Sequence, residues 1–160
     1  EAPRFSLLAG WSVEPDDALL QKLASTNHPL VQKALISADT ADGLPESAGQ
    51  GTCGTITVKE YRPGRVVLQV SADRTAILRV SEKYNAGWKA SIDGKSAPVR
   101  RCDYIFQGVL VTPGLHEVEL RYTVPTSPLF LQLSGMALCV LALGLLVVGR
   151  RKPEPSQAQP

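Results

Sequence analysis

Three cysteines, two histidines and one methionine in 160 residues leave little for redox or metal chemistry to use. Three cysteines are too few for a disulfide scaffold. His28 and His116 have no companion ligands at His-x-x-x-His or Cys-x-x-Cys spacing, so no metal site is expected. There is no Gly-rich phosphate loop, no Gly-x-Ser-x-Gly and no Ser/His/Asp set, which removes support for hydrolase, nucleotide-binding and cofactor-dependent readings. An excess of one charge is also missing from most of the chain. Setting aside Arg150, Arg151 and Lys152 from 17 basic residues, and Glu154 from 15 acidic ones, leaves fourteen of each. The basic isoelectric point is therefore a property of the tail, and no nucleic-acid partner is expected. The first residue is Glu1, the single methionine is Met136, and no signal peptide is present. The chain is read as a piece of a longer protein.

What is present begins with one long apolar run. Leu129 to Gly149 reads LFLQLSGMALCVLALGLLVVG, 21 residues without a charge. As a helix it is about 31 Å long, against a hydrocarbon core of roughly 30 Å. A buried helix of a soluble protein would show a polar face every 3.6 residues, and this run shows none. Residues 127–149 are expected to be a transmembrane helix, with Pro128 suited to its first turn. Arg150, Arg151 and Lys152 follow directly and place the C-terminal end, with the tail 150–160, in the cytoplasm. Everything before the helix then lies outside, held close to the bilayer by the short stretch from Tyr122 to Pro128.

The period changes to two from Gly54 onward. Val66, Leu68 and Val70 form one apolar face, and Thr75 to Ser81 is apolar enough to be a central strand covered on both sides. Trp88, Ala90 and Ile92 alternate with Lys89 and Ser91 before Asp93-Gly94, a strong hairpin signal. Val118, Leu120 and Tyr122 are expected to face inward. Six or seven short strands imply a mainly β fold, an antiparallel, jelly-roll-like β-sandwich over residues 53–126. Residues 1–37 read as a small α/β segment packing on it. Glu14-Pro15-Asp16-Asp17 supplies a helix start and Leu19, Leu20 and Leu23 an apolar stripe. Residues 38–52, with three glycines and a proline, read as a linker or mobile loop.

Several residues together form a signature. Ser81, Glu82 and Tyr84 lead into Gly87, Trp88, Lys89 and Ala90, then Asp93, Gly94 and Lys95. Tyr104 and Phe106 follow, and Gly114, His116, Val118 and Tyr122 close the set ahead of the apolar run. This sequence resembles the C-terminal extracytoplasmic domain of YfhO-like bacterial membrane proteins, polytopic relatives of the GT-C glycosyltransferases that use lipid-linked sugars. The chain departs from that pattern at Asn85-Ala86, where an aromatic and a proline are usual, and at Cys102 and Asp103. The resemblance implies a last membrane helix and a location in the bacterial cytoplasmic membrane. It also implies that the acidic catalytic residue of such proteins lies in an early loop absent here, so no catalytic residue is assigned and the chain alone is not an enzyme.

Two readings of the head stay open. In the first, Tyr84, Trp88, Lys89, Asp93, Lys95 and Arg100 form a ligand-binding loop. Aromatic faces would stack on a pyranose while the charged groups fix hydroxyls or a phosphate of a lipid-linked sugar or envelope glycan. The partners are then that saccharide, the lipid bilayer and the remaining membrane helices of the parent. In the second, Trp88 anchors the core, Asp93-Gly94 is only a turn, Arg100 and Arg101 guard an exposed strand edge, and the head is a structural or protein-interaction module. Cys53 and Cys102, both in the outward head, are a candidate disulfide whose formation depends on a Cα separation the sequence does not give.

Overall fold

The structure, a computed structural model, describes residues 3–24, 32–47, 49–124 and 127–149, and in the last of these the side chains of 132–146 only. His28, the basic triplet Arg150, Arg151 and Lys152, and the rest of the tail 150–160 lie outside the described residues. The chain divides into two compact units, Glu1–Thr123 and Val124–Pro160.

The first unit is mainly β and consists of two sheets. The strands are β1 (Phe5–Leu8), β2 (Gly10–Glu14), β3 (Lys33–Ser37), β4 (Thr55–Arg62), β5 (Arg65–Ala72), β6 (Ala76–Val80), β7 (Trp88–Ile92), β8 (Lys95–Ala97), β9 (Arg100–Cys102), β10 (Phe106–Val111) and β11 (Gly114–Tyr122). Helix α1 (Asp16–Ala24) joins β2 to β3. One sheet has the order β1-β6-β10-β9-β3-β2, the other β4-β5-β11-β7-β8.

Turn chemistry sets the hairpins. Asp93 and Gly94 sit at φ 50° and 78°, both left-handed, and so connect β7 to β8 in two residues. Gly64, at φ 76°, does the same between β4 and β5. At the N-terminus the chain behaves differently. Pro15 and the acids Asp16 and Asp17 start α1, and the helix carries the chain back to the end where β2 began. β3 therefore runs parallel to β2, with Gly10 opposite Lys33 and Glu14 opposite Ser37. This parallel pair belongs to the N-terminal segment 1–37, where a helical crossover reverses the chain once more than a hairpin would, whereas the strands of 53–126 pair with one another antiparallel, as expected. Three strands from residues 1–37 belong to the six-stranded sheet itself. Of the helical stripe only Leu19 is buried, while Leu20 is exposed.

Side chains from both sheets meet in one core, including Val66, Leu68 and Val70 of β5, Leu78 and Val80 of β6, Val109 of β10 and Val118 and Leu120 of β11. The six-stranded sheet also buries its other face, where Leu8, Trp11, Ile36, Ile77 and Cys102 pack with Leu44 and Phe106. Adjacent residues of β6, Ile77 and Leu78, point into different clusters, and all five residues of the strand are buried. The expected two-sided burial of this strand is what the structure has, and each such Leu or Ile contributes about 1.5–3 kcal/mol. Val118 and Leu120 face inward as expected, whereas Tyr122 at the end of β11 is partly exposed. Ala41 and Leu44 pack on this second face, and backbone and indole hydrogen bonds tie the neighbouring residues to β2 and its approach. Trp11 donates from its backbone N–H to Ser47 and from its indole to Pro45 O, and Ala9 N–H donates to Gly51 O.

The second unit contains helix α2 (Ser127–Gly149). Its described side chains, 132–146, are all exposed and nearly all apolar. Among the described residues, no helix is long and apolar enough to cross a membrane.

Candidate functional site: a groove beside Trp88

On one side β7 is paired along its whole length, from Trp88 opposite Tyr122 to Ile92 opposite Val118. On the other side β8 covers only Ala90, Ser91 and Ile92. After Ala97, Pro98 directs the chain away toward β9, which lies in the other sheet. Trp88 and Lys89 are thus left with one uncovered edge. Tyr84, Asn85 and Ala86 bound the opposite side, enclosing a groove of about 470 Å³ that is also lined by Ser96 and Val99.

Local chemistry shapes its wall. Asn85 accepts hydrogen bonds from Gly87 N–H on its side-chain oxygen (2.8 Å) and from Trp88 N–H on its backbone oxygen (3.0 Å), a turn that an Asn side chain forms readily. A Cβ on Gly87 would lie 2.6 Å from the Tyr122 ring and 2.9 Å from Thr123 O, so only glycine fits before Trp88. Trp88 is half-buried against the core, with its ring edge-on to Tyr122 at 5.6 Å.

Of the six residues singled out from the sequence, the structure brings Tyr84, Trp88 and Lys89 to this groove and not the other three. Asp93 sits at the far end of β7. One carboxylate oxygen lies 2.7 Å from His116 Nδ1, and the other accepts from Glu117 N–H at 2.8 Å. The bond to His116 holds the Asp93 carboxyl below its ordinary range and raises the imidazole above its own. His116 Nε2 is 3.2 Å from Thr112 Oγ1, completing a Thr-His-Asp chain that clips the β7–β8 turn to β11. Lys95 is exposed beside that turn.

Arg100 is buried in β9, and its guanidinium donates to Thr40 O. The edge-guarding reading of Arg100 and Arg101 is corrected, because β9 is an interior strand between β10 and β3. Arg101 instead gathers Asp16 (2.7 Å), Asp39 (3.0 Å) and Ser37 (2.9 Å). Cys53 and Cys102 are both free and buried, which overturns the candidate disulfide. They belong to different clusters, on opposite faces of the six-stranded sheet, so no side-chain rotation could join them.

Sequence reasoning missed the role of Asp103. Its carboxylate meets Arg79 Nη1 of β6 at 2.9 Å, both side chains being 1% exposed, and its other oxygen accepts from Leu35 N–H at 2.8 Å. Asp103 N–H in turn donates to Leu35 O at 2.7 Å, which fastens the β9–β10 turn to β3. Asp103 and Tyr104 have φ 47° and 70°, and the tolerance of Asp for left-handed backbone was the available signal.

The groove lining carries a phenol, an indole, an ammonium and a hydroxyl but no carboxylate. Such a surface can hold a polar, ring-shaped ligand by stacking and hydrogen bonds, without a carboxylate pair for acid–base chemistry. Among the described residues, no three His, Cys, Asp or Glu side chains are placed to share a metal ion.

The family described as bacterial membrane protein YfhO matches residues 19–134. The chain is similar to the uncharacterized protein YfhO of Bacillus subtilis (strain 168), at 24% identity over 94 residues, 58% of this chain. The matched stretch is about 10% of that relative's length. No solved structure matches. With well over half its length matched, from α1 to the start of the apolar helix, the chain belongs to the YfhO family of bacterial membrane proteins.

Proposed function

We propose that this chain is the non-catalytic, extracytoplasmic β-domain and final membrane helix of a larger YfhO protein, and that it assists glycosyl transfer from a lipid-linked sugar. Its head would lie outside the bacterial cytoplasmic membrane, with residues 127–149 spanning the bilayer and the basic tail inside. The uncharged run 129–149 supports the span, and the apolar, exposed side chains 132–146 would need lipid or other helices to cover them. The observation that carries the saccharide reading is the groove beside Trp88. There an indole, a phenol, an ammonium and a hydroxyl line one 470 Å³ space at an uncovered strand edge.

The test is made in the intact parent protein with Lys89→Ala and Tyr84→Ala together, both being groove residues outside the buried core. Glycosyl transfer should fall while membrane insertion and thermal unfolding stay unchanged. Undiminished transfer by a correctly folded double variant would overturn the reading. The rival, a structural or interaction module without saccharide binding, draws support from Trp88, whose ring packs on the core and on Tyr122. It expects Trp88→Ala to cost about 3–5 kcal/mol of stability, and the Lys89/Tyr84 variant to have no effect on transfer.

A further inference from the structure

The geometry points to a membrane-contacting row of cations on the outer face of the five-stranded sheet, which takes the phosphates of anionic lipid headgroups. Directly opposed residues of neighbouring strands point to the same face. Arg62 is opposite Arg65, Arg65 is opposite Arg121, and Arg121 is opposite Lys89. One line across β4, β5, β11 and β7 therefore presents four cations side by side. Like charges in such positions repel and destabilise the sheet unless anions lie between them. Two carboxylates do so at one end. Glu60 reaches Arg62 at 2.9 Å and Arg65 at 3.0 Å, and Glu119 reaches Arg65 at 2.9 Å. The other end is poorly compensated. Arg121 is 3.6 Å from Glu119 with its side chain 64% exposed, and Lys89 has no carboxylate partner among the described residues. Lys89 and Arg121 flank a shallow depression of about 260 Å³ with Ser91 and Glu119, open to an incoming anion.

The row is confined to one end of the sheet. It lies where β4 and β5 turn through Pro63-Gly64, where β7 begins and where β11 finishes. The opposite end, around Asp73, Arg74, Asp93, Lys95 and Glu117, mixes both signs. Trp88 and Tyr122 occupy the same basic end, as amphipathic rings do at a membrane–water interface. From Tyr122 only residues 123–126 lead to α2, a reach of about 17 Å at full extension. This inference rests on the proposed span of 127–149, which would bring the basic end of the sheet within reach of headgroups. Phosphate oxygens there would supply the counter-charge the protein leaves out.

Amine labelling measures this on the unmodified full chain in nanodiscs. One set is made of phosphatidylcholine alone, the other with about a third phosphatidylglycerol. Mass spectrometry compares acetylation of Lys89 with that of Lys95, at the other end of the same hairpin. Labelling of Lys89 should drop at least about threefold in the anionic discs, Lys95 should not change, and high salt should restore Lys89. Arg62→Glu with Arg121→Glu, both exposed positions, should abolish the lipid dependence. Equal Lys89 labelling in the two discs overturns the row, as does a parallel drop at Lys95. Extraction of the chain from vesicles by alkaline carbonate would overturn the span and the row together. An integrated chain with equal labelling would overturn the row alone.

Discussion

The buried pair between Arg79 and Asp103 gives the sharpest test of how the head is held together. Asp103→Ala takes the carboxylate from 2.9 Å beside a guanidinium that is 1% exposed. Breaking a buried pair from one side typically costs 3–5 kcal/mol, because the remaining charge keeps its desolvation penalty (~4 kcal/mol). Two smaller losses add to it. Leu35 N–H loses its acceptor, and alanine must take up the left-handed φ of 47°, at roughly 1 kcal/mol. Asp103→Asn keeps a carbonyl oxygen for Leu35 and tolerates that backbone, so its cost should be about half as large. At ~3–5 °C per kcal/mol for a unit of this size, Asp103→Ala should lower the Tm by about 15 °C. Tryptophan fluorescence during thermal or urea unfolding of the full chain in detergent isolates the head, because both tryptophans, Trp11 and Trp88, belong to it. High salt should change the difference little, since a buried pair is poorly screened. A loss below about 1 kcal/mol for Asp103→Ala would refute the reasoning.

The thiols and the His116 clip give two further tests. Burial raises the pKa of both Cys53 and Cys102, and they lie in separate clusters. Neither should react with maleimide in the native chain, both should react after denaturation, and an oxidised chain migrating as an internally bridged species would contradict the structure. His116 is raised above its ordinary 6.5, so its bond to Asp93 stabilises fully below that value and is lost as pH rises through the folded-state value. Asp93 is lowered from its ordinary 3.8, so its share is present above that value and lost as pH falls through the folded-state one. The Tm difference between wild type and His116→Ala should be widest near about pH 5 and narrow by about pH 8. A difference that stays constant over that interval would rule out the clip as a titrating contact.

Much of the candidate site was legible because it is local. Gly87, Trp88, Lys89 and the Asp93-Gly94 turn sit on one hairpin, where alternation and turn residues define which side chains share a face. Tyr84 was within reach for the same reason, since the loop is short. Asp93 and Lys95 stay on that hairpin but at its far end from the groove. Arg100 is not at the groove because adjacency in sequence says nothing about which sheet receives the next strand. After Ala97 the chain leaves one sheet for the other, and Arg100 goes with it into a buried position.

By itself the sequence determined the β-rich class, the uncharged run 129–149, the two-sided burial of residues 76–80 and the family. Each follows from composition, periodicity or a short motif, which act over a few residues and need no distant partner. Tertiary structure alone decided the rest. It set β3 parallel to β2 through α1, separated Cys53 from Cys102, and paired Arg79 with Asp103 across 24 residues. It also aligned Arg62, Arg65, Arg121 and Lys89 in one row. These depend on strand order and register, which are fixed when long-range burial outweighs the entropy of closing the intervening loops, and no window of neighbouring residues contains that balance.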